Sequence, residues 1–258
     1  MDRAYDSHRI ALHVLESVEA AVEHADPFFH LQLTDVFPPD TYAAMLGAMP
    51  GARDYRPMSG RSREVRPADG VPTRTKMDLL PEFIRHLSPA QRSVWSPVGK
   101  ALCSAEVTEA FRRRLATGLA KRFGEAHARV PMYPIPVLTR DVAGYRIGVH
   151  PDTRRKGMTI QFYLPRDRSI EHVGTAFHRR GAGGKFEKAG QMPFAPNVGY
   201  AFAVGTDTYH SVETVGPEVA TRDSILLTCY MDQTLAQKVH NRAKRFGNLL
   251  LNEARGLL

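Results

Sequence analysis

Gly144-Tyr145-Arg146-Ile147-Gly148-Val149-His150-Pro151-Asp152 is an extended stretch that closes on an imidazole and a carboxylate two positions apart. Side chains two apart on a strand point to the same side, so His150 and Asp152 can grip one metal ion between them. The same alternation puts Gly148 and Arg146 on the ligand face. A His-x-Asp pair is a weak signal by itself. The chain holds a second one, His24-Ala25-Asp26, which closes a helical pattern just before Pro27 and reads as a polar helix terminus. What surrounds the first pair therefore has to decide.

Three later stretches converge on it. In Met158–Pro165 the odd positions Thr159, Gln161 and Tyr163 are polar or amphipathic and the even ones apolar, so one face suits a core and the other a wet pocket; a half-exposed sheet gives the same pattern. The apolar run Val198–Val204 leads through Gly205 to Tyr209-His210-Ser211-Val212, which offers His210 as a third ligand. Thr221-Arg222-Asp223-Ser224 then opens the apolar run Ile225–Tyr230. Arg222 and Ser224 share a face, and a guanidinium fork beside a hydroxyl suits a carboxylate. Two histidines and a carboxylate form the facial triad of non-haem Fe(II) oxygenases, with three positions open. A dicarboxylate that chelates iron at one end and pairs with Arg222 at the other is the matching ligand.

The order His-x-Asp, distal His, then Arg-x-Ser resembles the Fe(II)/2-oxoglutarate-dependent dioxygenases. "Gly-Tyr-Arg-Ile-Gly-Val-His-Pro-Asp", "Thr-Ile-Gln-Phe-Tyr-Leu-Pro" and Glu171-His172-Val173-Gly174-Thr175-Ala176-Phe177 look most like the prolyl-hydroxylase-like branch and its small bacterial relatives acting on amino acids or natural products. The similarity covers residues 133–230. It implies His150, Asp152 and His210 as iron ligands, and Arg222 with Ser224 and Tyr163 on the distal carboxylate of 2-oxoglutarate. It also implies Fe(II), 2-oxoglutarate and O2 as cofactor and cosubstrates. The implied fold is a double-stranded β-helix, a distorted jelly roll, flanked by helices. Spacing from His210 to Arg222 is long for the pattern, with Gly216-Pro217 between. Halogenating relatives carry a small residue where Asp152 stands, so hydroxylation is the implied outcome.

Around this core the chain reads as α+β. Ser7 caps a helix over 7–24 with Ile10, Val14, Val18 and Val22 in one stripe. Residues 28–37 alternate loosely, and Pro38-Pro39-Asp40 opens a short helix to Met49. Residues 50–76 lose all periodicity and carry basic residues, including Arg74, able to close over an anion; a long loop in a compact domain is often functional. Ser88-Pro89-Ala90-Gln91 is a capping box for a helix to Leu102. Ser104 caps another, striped with Val107, Phe111, Leu115, Leu119 and Phe123. The expected layout is a single oxygenase domain: 1–124 mainly helical support with a lid loop, 125–232 the jelly-roll core, 233–258 a C-terminal helix.

The chain has 258 residues and a formal charge of +8. Its basic residues are interspersed with acidic ones and form no groove with aromatic residues, so nucleic acid is an unfavoured partner. Cys103 and Cys229 are too few for a disulfide framework. No apolar run is long enough to span a membrane, and Met1–Asp6 lacks the features of a secretory leader, so the expectation is a cytoplasmic protein. Charge placement suggests a small carboxylate-bearing substrate, free or delivered by an acidic carrier protein, met by Arg146, Arg154 and Arg74. The rivals are a non-catalytic cupin-like binder, which has no need of Arg222 and Ser224, and a nucleic-acid-directed demethylase.

Overall fold

The computed structural model describes residues 5–58 and 70–231. The expected C-terminal helix and the middle of the basic loop lie outside the described residues. Two antiparallel sheets face each other, and helices cover the outer face of the larger one. This is an α+β jelly roll.

The larger sheet has eight strands in the order β1-β2-β10-β7-β12-β5-β4-β3. They are β1 Val22–His24, β2 His30–Leu33, β3 Arg56–Pro57, β4 Arg74–Asp78, β5 Met132–Asp141, β7 Lys156–Tyr163, β10 Gly199–Ala203 and β12 Arg222–Met231. The smaller sheet runs β6-β11-β8-β9, with β6 Ile147–His150, β8 Thr175–Arg180, β9 Phe186–Met192 and β11 Tyr209–Val212. Alternation along β7 and β12 divides their side chains between two cores. Met158, Ile160, Phe162, Ile225 and Leu227 join the helical core with Ile10, Trp95 and Phe111. Tyr163 looks the other way and packs with Tyr200, Phe202 and Phe177 between the sheets. Each large apolar side chain so buried contributes roughly 1.5–3 kcal/mol.

Among the described residues five α-helices follow the apolar stripes, with instructive departures. α1 (Ser7–Glu19) buries Ile10, Val14 and Val18, but its cap is Asp6, which accepts from the His8 amide. It stops at Glu19, and Val22–His24 becomes an edge strand paired with β2. The stripe continues in sequence through Val22, yet pairing with a sheet edge outweighs a weak helical preference. His24, expected in a helix terminus, instead stacks on His30 across the β1–β2 pair at 4.9 Å. α2 (Pro39–Gly47) and α3 (Pro89–Leu102) begin as expected, α3 with the full Ser88/Gln91 capping box. The helix expected after Ser104 is two, α4 (Ala105–Arg114) and α5 (Ala116–Phe123), broken at Leu115, which stays fully buried.

Residues 1–124 are mainly helical and also supply four short strands of the larger sheet, one of them, β2, within the loosely alternating residues 28–37. Arg74, expected on a lid loop, sits on β4, hydrogen-bonded between β3 and β5. A Thr- and Met-containing segment too short to show a period becomes a strand once β5 offers it an open edge.

Candidate metal centre and anion pocket

The β6–β11 register sets His150 directly across from His210, with ring centroids 4.5 Å apart. Asp152, two residues beyond β6, completes the group. One ligand atom from each of the three residues lies within 4.8 Å of the others. Each imidazole has Nδ1 against a backbone carbonyl, His150 on Gly148 at 2.8 Å and His210 on Thr208 at 3.1 Å. A carbonyl accepts only, so Nδ1 carries the proton and Nε2 keeps its lone pair for a metal. The donor set, two imidazole nitrogens and one carboxylate oxygen, suits a divalent transition metal.

Asp152 is tightly held. Its Oδ1 accepts from Lys156 Nζ at 2.6 Å, its Oδ2 from Thr159 Oγ1 at 2.6 Å. Burial would raise its pKa, but the Lys156 ammonium and its hydrogen bonds outweigh burial and hold the carboxyl well below the usual carboxylate range. Lys156 is buried against the Asp152 carboxylate.

Along the inward face of β7, Thr159 is followed by Gln161 and Tyr163, and these lead away from Asp152 toward Arg222. Tyr200 OH donates to Gln161 Oε1 at 2.6 Å, and Gln161 Nε2 to Ser224 Oγ at 2.7 Å. Ser224 Oγ also meets Thr139 Oγ1 at 2.9 Å. At the far end the register aligns Arg74, Asp141 and Arg222 on three adjacent strands. Arg222 Nη1 donates to Asp141 Oδ2 at 2.8 Å, and Nε to the Val173 carbonyl at 2.6 Å. Arg74 grips both oxygens of the same carboxylate through Nε and Nη2. Tyr163 OH donates to Thr175 Oγ1 at 2.9 Å and its ring lies 5.6 Å from the Arg222 guanidinium. Burial pushes the Tyr163 phenol up, so it remains a neutral donor.

Arg146 does not share the face of His150. A register shift in the β6–β11 pair puts Ile147 opposite Val212 and His150 opposite His210, so Ile147 takes the inward place and Arg146, before the strand, is exposed. Arg154 is also exposed, and it lines a cavity of about 820 Å³ with Phe28, Phe123, Lys121 and Thr208. Sequence reasoning missed Asp141, Thr175 and the structural weight of Lys156. Asp141 continues the inward alternation Val137, Thr139, Asp141 on β5, a signal available in the sequence; its two partners become visible only through the register.

No family model and no curated protein matches the sequence. Solved structures do. A prolyl hydroxylase from Trichoplax adhaerens, solved with a peptide fragment of a hypoxia inducible factor, overlaps at a TM-score of 0.51 with 10% identity, covering 87% of this chain and 90% of that one. A Pseudomonas putida prolyl-4-hydroxylase gives 0.49 with 13% identity, over 87% and 99% of the two chains. The rice dioxygenase for auxin oxidation gives 0.47 with 14% identity, over 86% and 81%. The Trichoplax overlap shows the fold: this chain has the double-stranded β-helix of the prolyl hydroxylases. No helix among the described residues is long and apolar enough to cross a membrane.

Proposed function

We propose that this chain is an Fe(II)- and 2-oxoglutarate-dependent oxygenase that hydroxylates an aliphatic C–H bond of a small carboxylate-bearing molecule. The observation that carries the reading is the pairing, inside one jelly roll, of the His150-Asp152-His210 group with a buried arginine at the other end of the same β7 face. From Thr159 to Tyr163 is about 13 Å along the strand, a span that side chains at both ends and a five-carbon diacid can bridge. When bound, the metal, O2 and 2-oxoglutarate supply the oxidising chemistry, with succinate and carbon dioxide as coproducts.

The protein's own part is positioning. His150 and His210 present Nε2, with tautomers fixed by the Gly148 and Thr208 carbonyls. Asp152 is kept anionic and oriented by Lys156 and Thr159, and it fills the metal position that a halide would need, which favours hydroxylation over halogenation. Arg222, with Tyr163 and Ser224 beside it, receives the far carboxylate of the diacid. Tyr200 and Gln161 bridge the two ends and, with Phe202 and Phe177, keep that interior dry.

Arg154, exposed two residues beyond Asp152, is the candidate contact for the substrate's carboxylate; Arg74 and Arg146 are withdrawn from that role by their burial and placement. The test is a panel of free amino acids, N-acyl amino acids and carrier-bound acids, scored for substrate-dependent succinate release and a mass gain of one oxygen. We expect turnover within the carboxylate-bearing members. Turnover confined to neutral compounds, or to methylated nucleic acid, would contradict the substrate class.

A further inference from the structure

Arg74, Asp141 and Arg222 form a row of charges with almost no access to water: Arg74 is 5% exposed, Asp141 and Arg222 0%. Two guanidiniums face one carboxylate, a surplus of one positive charge. Asp78, four residues along β4 on the same face, cannot offset it, because Arg56 and Lys76 both bind that carboxylate. A buried surplus charge is costly unless something answers it; a neutral Arg–Asp pair would serve the fold better.

The geometry decides which guanidinium holds the surplus. Arg74 makes the two-point fork to Asp141 and lays its guanidinium over the Tyr145 ring at 4.3 Å. Arg222 shares one oxygen of Asp141 through Nη1, and Nε is taken by the Val173 carbonyl. Its Nη2 donates to Thr175 Oγ1 at 3.4 Å, beyond the range of a good N–H···O bond, and the guanidinium also meets the Tyr163 hydroxyl and lies over the Phe194 ring at 4.9 Å. Nη2, held by the longest of the Arg222 hydrogen bonds, is the donor that an incoming carboxylate can take most readily. Arg74 and Arg222 lie on opposite flanks of Asp141, in strands β4 and β12.

We infer that Arg74 sets the charge of the diacid site: by neutralising Asp141 it leaves Arg222 as the uncompensated cation that the far carboxylate of 2-oxoglutarate answers. This rests on the oxygenase reading above. Arg74 is a positioning residue, since it acts through Asp141 and touches no ligand. The alternative is that Arg74–Asp141 is only a staple between β4 and β5.

Counting charges separates the two. Arg74→Met leaves a neutral Asp141–Arg222 pair; the double variant Arg74→Met/Asp141→Asn restores the surplus by leaving Arg222 alone. Calorimetric titration of 2-oxoglutarate into anaerobic, Fe(II)-loaded full-length protein reads the affinity, and thermal melting checks folding. We expect Arg74→Met to weaken binding roughly 10-fold, in the usual range for coupled sites, and the double variant to recover to within about 3-fold of wild type. Arg74→Lys, which keeps the charge, should stay near wild type, and Arg74→Gln carries the same test if Arg74→Met does not fold. A folded Arg74→Met or Arg74→Gln with wild-type affinity overturns the inference, as does a double variant no better than Arg74→Met. Wild-type protein that fails to bind 2-oxoglutarate removes the oxygenase reading and this inference with it; binding that Arg74 variants leave unaltered removes the inference alone.

Discussion

His210→Ala is expected to lower bound Fe(II) from one per chain to near zero. His210 is directly across from His150 and offers one of the three candidate ligand atoms. Disturbing a residue behind a metal ligand already costs 10–100-fold in affinity, so losing the ligand itself should cost more than about 100-fold. Asp152→Ala should be at least as severe, because it also leaves the buried Lys156 ammonium facing the metal position without its counter-ion. Asp152→Gly should abolish hydroxylation without producing chlorination, since nothing else in the site is shaped to hold halide. Metal analysis after anaerobic desalting reads these results. Full iron stoichiometry in His210→Ala would remove His210 from the ligand set.

The second large effect falls on 2-oxoglutarate. Arg222→Ala removes the charged partner of a buried carboxylate, which costs about 2–5 kcal/mol. The variant should still fold, because Arg74 and Asp141 remain as a neutral pair with two hydrogen bonds. Tyr163→Phe removes the hydroxyl that donates to Thr175 Oγ1 and accepts from the Thr175 amide, and with it one hydrogen bond to the far carboxylate, so 2-oxoglutarate binding should weaken less, by about 0.5–1.5 kcal/mol. The dependence of succinate formation on 2-oxoglutarate concentration measures both. An unchanged requirement in Arg222→Ala would put the anchor elsewhere.

The two halves of the site differed in how far sequence could reach them. His150 and Asp152 sit two apart, and alternation on one strand needs no knowledge of the fold. His210 is 58 residues beyond Asp152 in the sequence, and it is offered as the third ligand by its order between that pair and Arg222 and by the resemblance, not by period. Alternation failed at Arg146 because β6 contains an irregular register, which shifts every side chain before it to the other face. The helices from Ser88 and Ser104 were legible through caps and stripes, whereas β1 and β4 were not. Those strands are short, and their conformation is set by the neighbouring edges they pair with. Asp141 shows the same limit most sharply: its role lies in two partners 67 residues before it and 81 after it, and nothing local announces either.

Anaerobic calorimetry of 2-oxoglutarate with wild-type protein, with and without Fe(II), tests the central claim most directly. The site described here predicts binding of one 2-oxoglutarate per chain that tightens when Fe(II) is present and weakens in both Asp152→Ala and Arg222→Ala. Absence of binding in the iron-loaded protein, or binding indifferent to both substitutions, would contradict it.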